Sequence, residues 1–157
     1  MSWAASIITI LLLISITSSV LLGVGTYLSP RKEGWHNFFI FLLICVFVWC
    51  VGTLLELAST TFEIKLFWLK IQYFGISFTP VAFFLFAVHF SRVSRNIFTP
   101  RLRLLIFVFP LITCLLAFSN EFHNLIWESA IIQQKTGLSP LLLTRGAWFW
   151  AHGAYSY

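Results

Sequence analysis

An all-α integral membrane bundle is the fold class this sequence predicts, and three observations predict it. Hydrophobic residues make up 59% of the 157-residue chain and charged residues only 10%, against about 25% charged in an ordinary soluble domain. Mean hydropathy is +0.91. The apolar residues collect in runs near membrane-spanning length, and most charged residues fall between those runs or at their ends.

The first run, residues 3–28, carries no charge and exceeds the roughly 20 residues that cross a bilayer core. It lacks the basic start, short apolar centre and small-residue cleavage site of a signal peptide, so it is predicted as a transmembrane helix. The second run, 38–57, also reaches spanning length and holds one acid, Glu56, at its end. The third, 66–90, has Lys70 in its second turn and Pro80 near its middle, where the missing backbone donor predicts a kink. The fourth, 104–118, lies near the lower limit for spanning and also contains a proline, Pro110.

Residues 119–146 mix acids with Gln133, Gln134, Gly137 and Pro140, which predicts an irregular polar segment outside the membrane, the one stretch large enough for a small extramembrane substructure. Within it SPLLLT is too short to span and is expected at the interface. The chain closes on RGAWFWAHGAYSY. Residues 147–157 begin like a fifth transmembrane helix but would cover only about 16 Å of a core about 30 Å thick. A helix stopping there would leave carbonyls unpaired in hydrocarbon, so a longer chain is expected. The prediction is four complete transmembrane helices and the first part of a fifth, in one domain without repeats.

Charge sets the expected orientation. With all four runs spanning, residues 29–37 and 91–103 share one side and hold Arg31, Lys32, Arg92, Arg95, Arg101 and Arg103 against Glu33, a net +5. The opposite side balances Lys65, Lys70, Lys135 and Arg145 against Glu56, Glu63, Glu121 and Glu128. Basic loops stay cytoplasmic, which puts the N-terminus and the 119–146 loop outside the cell. Tryptophans agree: Trp3, Trp68, Trp148 and Trp150 fall at the outer boundary and Trp35 at the inner one. The overall charge of +5 does not indicate nucleic acid, because the cations form short clusters and no amphipathic basic face. The lipid bilayer and its anionic headgroups are the expected counter-charge.

Several chemistries find no support. Cys45, Cys50 and Cys114 lie inside apolar runs without CxxC or Cys/His spacing and are expected as small buried hydrophobes. His36, His89, His123 and His152 are scattered, so neither a metal nor another cofactor is expected. No nucleophile elbow, phosphate loop, dinucleotide glycine pattern or kinase signature is present, and no catalytic residues are assigned.

The polar residues at membrane depth concentrate between Leu54 and Pro80. Glu56 is expected to pair with Lys70, with Lys65 as the second choice; alternatively the charges snorkel to the interface as boundary markers. Lys70, Tyr73 and Ser77 share a helical face, with Gln72 and Thr79 beside it. The outer half of this helix is therefore expected to face protein or a water-lined cavity. Gly75 and Pro80 are hinge candidates, although small and polar residues here also suit close helix packing. In NEFHNLIW, His123 beside Glu121 suggests a proton-sensitive or ligand-contacting site, against the plainer reading of a helix end dressed with interfacial residues. The ligand-sensing candidates are Glu56, Lys70, Gln72, Tyr73 and His123.

The segment LLELASTTFEIKLFWLKIQYFGISFTPVAFFLFAVHF, then a basic loop, a proline-containing helix, NEFHNLIW and GAWFWAHGAYSY, resembles the seven-transmembrane N-terminal sensor region of bacterial and archaeal histidine kinases. The resemblance covers nearly the whole chain. It implies a seven-helix bundle, N-terminus out, feeding a cytoplasmic histidine kinase, often behind a PAS domain, or a diguanylate cyclase. The family's stimulus is generally undefined; the sensor reading adds the expectation that the full-length protein is a homodimer detecting a small molecule, a lipid or a state of the envelope. The output domain lies outside this chain, so the chain itself is expected to be no enzyme. A transporter or channel subunit is the rival reading, since such proteins also use proline-broken helices and intramembrane charges; an integral membrane enzyme is a third.

Overall fold

The computed structural model describes residues 3–30, 33–91, 100–133 and 140–156. Arg31, Lys32, Arg92 and Arg95 of the basic loops, Gln134, Lys135 and Gly137 of the long loop, and Tyr157 lie outside the described residues.

Four long helices come first: α1 (Trp3–Leu28), α2 (His36–Ala58), α3 (Phe62–Phe90) and α4 (Pro100–Phe118). A single turn, α5 (Asn120–His123), leads into strands β1 (Trp127–Ile132) and β2 (Leu141–Arg145), and α6 (Ala147–Ser156) follows. Three helices, α1 to α3, are long and apolar enough to cross a membrane. The apolar stretch of α4, Leu104–Phe118, is shorter. The chain is thus a multi-pass α-helical membrane domain.

α1 packs mainly on α2 and exposes Ile7, Leu11, Ile14 and Leu21, as a lipid-facing helix should. Four of its hydroxyls, Thr9, Ser15, Thr17 and Ser19, are satisfied by donating to the carbonyl four residues back, at 2.7–3.0 Å. Such internal pairing makes a polar side chain tolerable where no water is available.

The tightest pair is α2 with α3. At Gly75 an added Cβ would stand 2.5 Å from the Cys45 carbonyl oxygen and 2.8 Å from the Trp49 backbone nitrogen, so only glycine lets these backbones approach. Of the two roles considered for Gly75, close packing is the one visible here. α3 runs unbroken through Pro80; proline's missing N–H withdraws the partner of the Ile76 carbonyl, while one residue earlier the Thr79 hydroxyl donates to the Gly75 carbonyl at 2.6 Å. At the opposite end Trp35 and Phe39 interleave edge-on and tilted with Phe86 and Phe90, with centroids 5.0–6.0 Å apart.

The 119–146 segment corrects one expectation: instead of being irregular, its described residues include an antiparallel hairpin, with Ala130 opposite Leu143 and Ile132 opposite Leu141. The strands hold because one side meets the core: Ile126, Trp127, Leu69, Tyr73 and Ala117 form a buried cluster against which Leu141 and Leu143 pack. Asn120 fixes the hairpin to the end of α4. Its Nδ2 donates to the Trp127 carbonyl (2.8 Å), and its Oδ1 accepts from the Ile126 and Trp127 backbone N–H groups (2.9 and 3.3 Å). α6 then folds back on α4, where Phe109 stacks with Trp148 and Tyr155 at 5.3 and 4.3 Å. The Trp148 indole N–H donates to Thr113 Oγ1 and the Tyr155 hydroxyl to the Ile106 carbonyl.

Candidate functional site: a cleft between α2, α3, β2 and α6

A cleft of about 660 Å³ opens between α2, α3, β2 and α6. Its walls include Thr53 and Glu56 from α2, Gln72, Tyr73, Ile76, Pro80 and Phe83 from α3, Leu141, Leu143 and Arg145 from β2, and Phe149, His152, Gly153 and Ser156 from α6.

The structure separates the ionic groups differently from the expected Glu56–Lys70 pair. Lys65, fully buried, places its Nζ 2.7 Å from the Glu56 backbone carbonyl and 3.8 Å from the Glu56 carboxylate. Lys70 instead pairs with Glu121. The reason is helical phase. α3 begins at Phe62, four residues before the apolar run, so Lys65 faces α2 one turn in. Five residues further, at about 100° each, Lys70 has turned roughly 140° away.

On the face that Lys65 begins, Leu69, Gln72 and Ile76 follow at helical spacing, which brings Gln72 against Thr53 and into the cleft wall. The Thr53 hydroxyl approaches Gln72 Oε1 at 3.2 Å. Gln72 Nε2 has no hydrogen-bond partner among the described residues, and neither has His152 Nε2; both residues are more than nine-tenths buried. Buried polar atoms are nearly always paired, so two exceptions lining one cleft need an explanation; Ser77 Oγ on α3, outside the cleft lining, is a third.

Arg145 stands where β2 hands over to α6. Gly146 makes that corner possible, because a side chain there would collide with the Asn124 and Leu125 carbonyl oxygens; its N–H donates to the Ile126 carbonyl at 2.9 Å. The Arg145 guanidinium lies 4.3 Å from the Phe149 ring centroid, and its charge acts on the nearby Tyr73 hydroxyl. Tyr73 also packs against Trp127, at 5.5 Å between centroids.

Of the predicted site residues, Glu56, Gln72, Tyr73 and Pro80 line one cleft. Gly75 lies behind them at the α2–α3 contact. Lys70 and His123 are elsewhere. His123 serves its own turn: Nε2 is 3.1 Å from Ser119 Oγ and Nδ1 accepts from the Leu125 N–H at 3.1 Å. Sequence reasoning did not assign Thr53, Arg145 and His152 to the cleft, because each comes from a different segment and only the fold collects them.

Three apolar helices of spanning length, with a hairpin and a short helix enclosing a partly polar cleft, define a polytopic α-helical membrane domain. The family model for the N-terminal 7TM region of histidine kinase matches residues 10–157. The chain belongs to that family, and it is a membrane sensory input region, the non-catalytic part of such kinases. No curated protein and no solved structure matches the chain.

Proposed function

We propose that this domain couples an extracytoplasmic or intramembrane stimulus to a cytoplasmic histidine kinase, or a diguanylate cyclase, carried by the full-length protein as a homodimer. In this reading α1 to α4 all cross the membrane, α6 begins a fifth crossing, and the N-terminus and hairpin lie outside. The charge asymmetry between the two sets of loops supports the orientation. Glu56, Gln72 and Tyr73 belong to the sensing site, with Gly75 and Pro80 near the point where α3 would change its packing.

The observation that carries the reading is the cleft itself. The hairpin closes it from one side while α2, α3 and α6 form the rest, so a ligand that fits one arrangement of these elements better than another would shift helices leading toward the membrane interior. A stimulus signals only through unequal affinity for two arrangements. The test is to tie β2 to α3 in the full-length protein with Leu69→Cys and Leu143→Cys, both in the shared apolar cluster. Cross-linked protein in liposomes is expected to hold one fixed level of output activity, with reductant restoring regulation. Output unaffected by the cross-link contradicts the coupling.

A further inference from the structure

The cleft has a cationic, hydrogen-bonding end and a mostly apolar end, with Thr79 and Ser156 among its few polar groups. From Leu69 to Phe83 its α3 wall rises about 21 Å. Arg145 stands at the hairpin end, and Ile76, Pro80 and Phe83 form the other. Its volume of about 660 Å³ falls within the roughly 300–1,000 Å³ of small-molecule sites.

The charges at the hairpin end are unequally compensated. Glu56 is answered by Lys65 and also accepts the Leu141 N–H at 3.1 Å. Arg145 has no carboxylate in ion-pair range among the described residues. Its guanidinium lies over Phe149, and a stacked guanidinium presents its planar fork of donors to a carboxylate or phosphate. Gln72 and His152, whose Nε2 atoms lack partners, line the same cleft. Unpaired polar atoms lining a cleft leave hydrogen bonds open to a ligand atom.

We propose that the cleft binds an anionic amphiphile, with a carboxylate or phosphate head held by Arg145 and an apolar chain lying against Ile76, Pro80 and Phe83. This names the ligand class of the sensory site and rests on that reading for its purpose alone, since binding is measured apart from output. The head chemistry fits either a free fatty acid or an anionic bilayer lipid.

The experiment is photolabelling of the full-length protein in phosphatidylcholine nanodiscs with a diazirine-bearing dodecanoate, followed by mass spectrometric mapping. Labelling is expected to saturate, to map to α3, β2 and α6, and to be displaced by dodecanoate but not by dodecanol. Arg145→Gln is expected to weaken it about tenfold or more, with Arg145→Lys restoring part of the loss. Gly153→Leu is expected to abolish it by filling the cleft; a Cβ there meets nothing within 4 Å, and an unchanged melting temperature checks that the fold is kept. Displacement by added phosphatidylglycerol assigns the site to a bilayer lipid, and displacement by free dodecanoate alone to a diffusible acid; either supports the class. Labelling that does not saturate, that ignores Arg145→Gln, or that dodecanol displaces equally overturns it, as does an unlabelled cleft already filled by another segment. Intact labelling with output indifferent to the 69–143 cross-link would instead overturn the sensor reading.

Discussion

Lys65 is fully buried with its ammonium against Glu56, touching both the backbone carbonyl and the carboxylate of the same residue. Through Glu56 Oε1, which also accepts the Leu141 N–H, this pair ties the end of α2, the start of α3 and the hairpin together. Removing one member leaves the other buried without its counter-charge, which costs about 3–5 kcal/mol. Lys65→Met is therefore expected to destabilise the domain strongly in detergent unfolding, and Glu56→Gln with Lys65→Met to recover part of the loss. Lys70→Met, which breaks a pair whose Glu121 side chain is half exposed, is expected to cost about 0–1 kcal/mol. Equal losses at the two lysines would contradict this assignment.

The α2–α3 contact gives a second contrast. Gly75→Ala places a methyl within 2.8 Å of the Trp49 backbone nitrogen, and overpacking of this kind costs about 1–3 kcal/mol or more. Gly25→Ala on α1 meets nothing within 4 Å and is expected to be neutral or slightly stabilising, since alanine is the better helix former. Melting temperatures of the two variants decide the matter; a harmless Gly75→Ala would mean the helices are not in this contact.

Asn120→Ala removes three hydrogen bonds to the hairpin. Each buried backbone group left unpaired costs about 1–3 kcal/mol. Faster amide exchange is expected throughout 127–132 and 141–145, with α2 little changed. Protection that stays intact in the strands would show that the hairpin holds without its anchor.

Gln72→Met is expected to leave stability unchanged or raise it by about 1 kcal/mol, because it removes an unpartnered buried amide nitrogen. Thr53 keeps a partner, since its hydroxyl also donates to the Trp49 carbonyl at 2.9 Å. The same change is expected to impair regulation of the full-length protein, as residues kept for function often cost stability. A large drop in melting temperature would show that Gln72 is instead structural.

Topology is open to labelling in intact cells. Ser129→Cys, exposed on β1, is expected to react with a membrane-impermeant maleimide, while Glu33→Cys should react only after permeabilisation. The reverse pattern would invert the proposed orientation.

Hydropathy carries what the solvent dictates. Long uncharged runs can satisfy their backbone groups in lipid only as helices, so α1, α2 and most of α3 were legible from hydropathy, and the order of motifs revealed the family. Gln72 and Tyr73 were legible as site candidates because polar residues at membrane depth must meet something other than hydrocarbon. Tertiary structure alone decided the rest. Which lysine answers Glu56 depends on where α3 starts and thus on its helical phase. Strands of five and six residues carry too little alternation to announce themselves and form because Trp127, Leu141 and Leu143 find Tyr73 and Leu69. The gathering of Arg145 and His152 with Glu56 and Gln72 in one cleft rests on contacts between residues far apart in the chain, which no local pattern encodes.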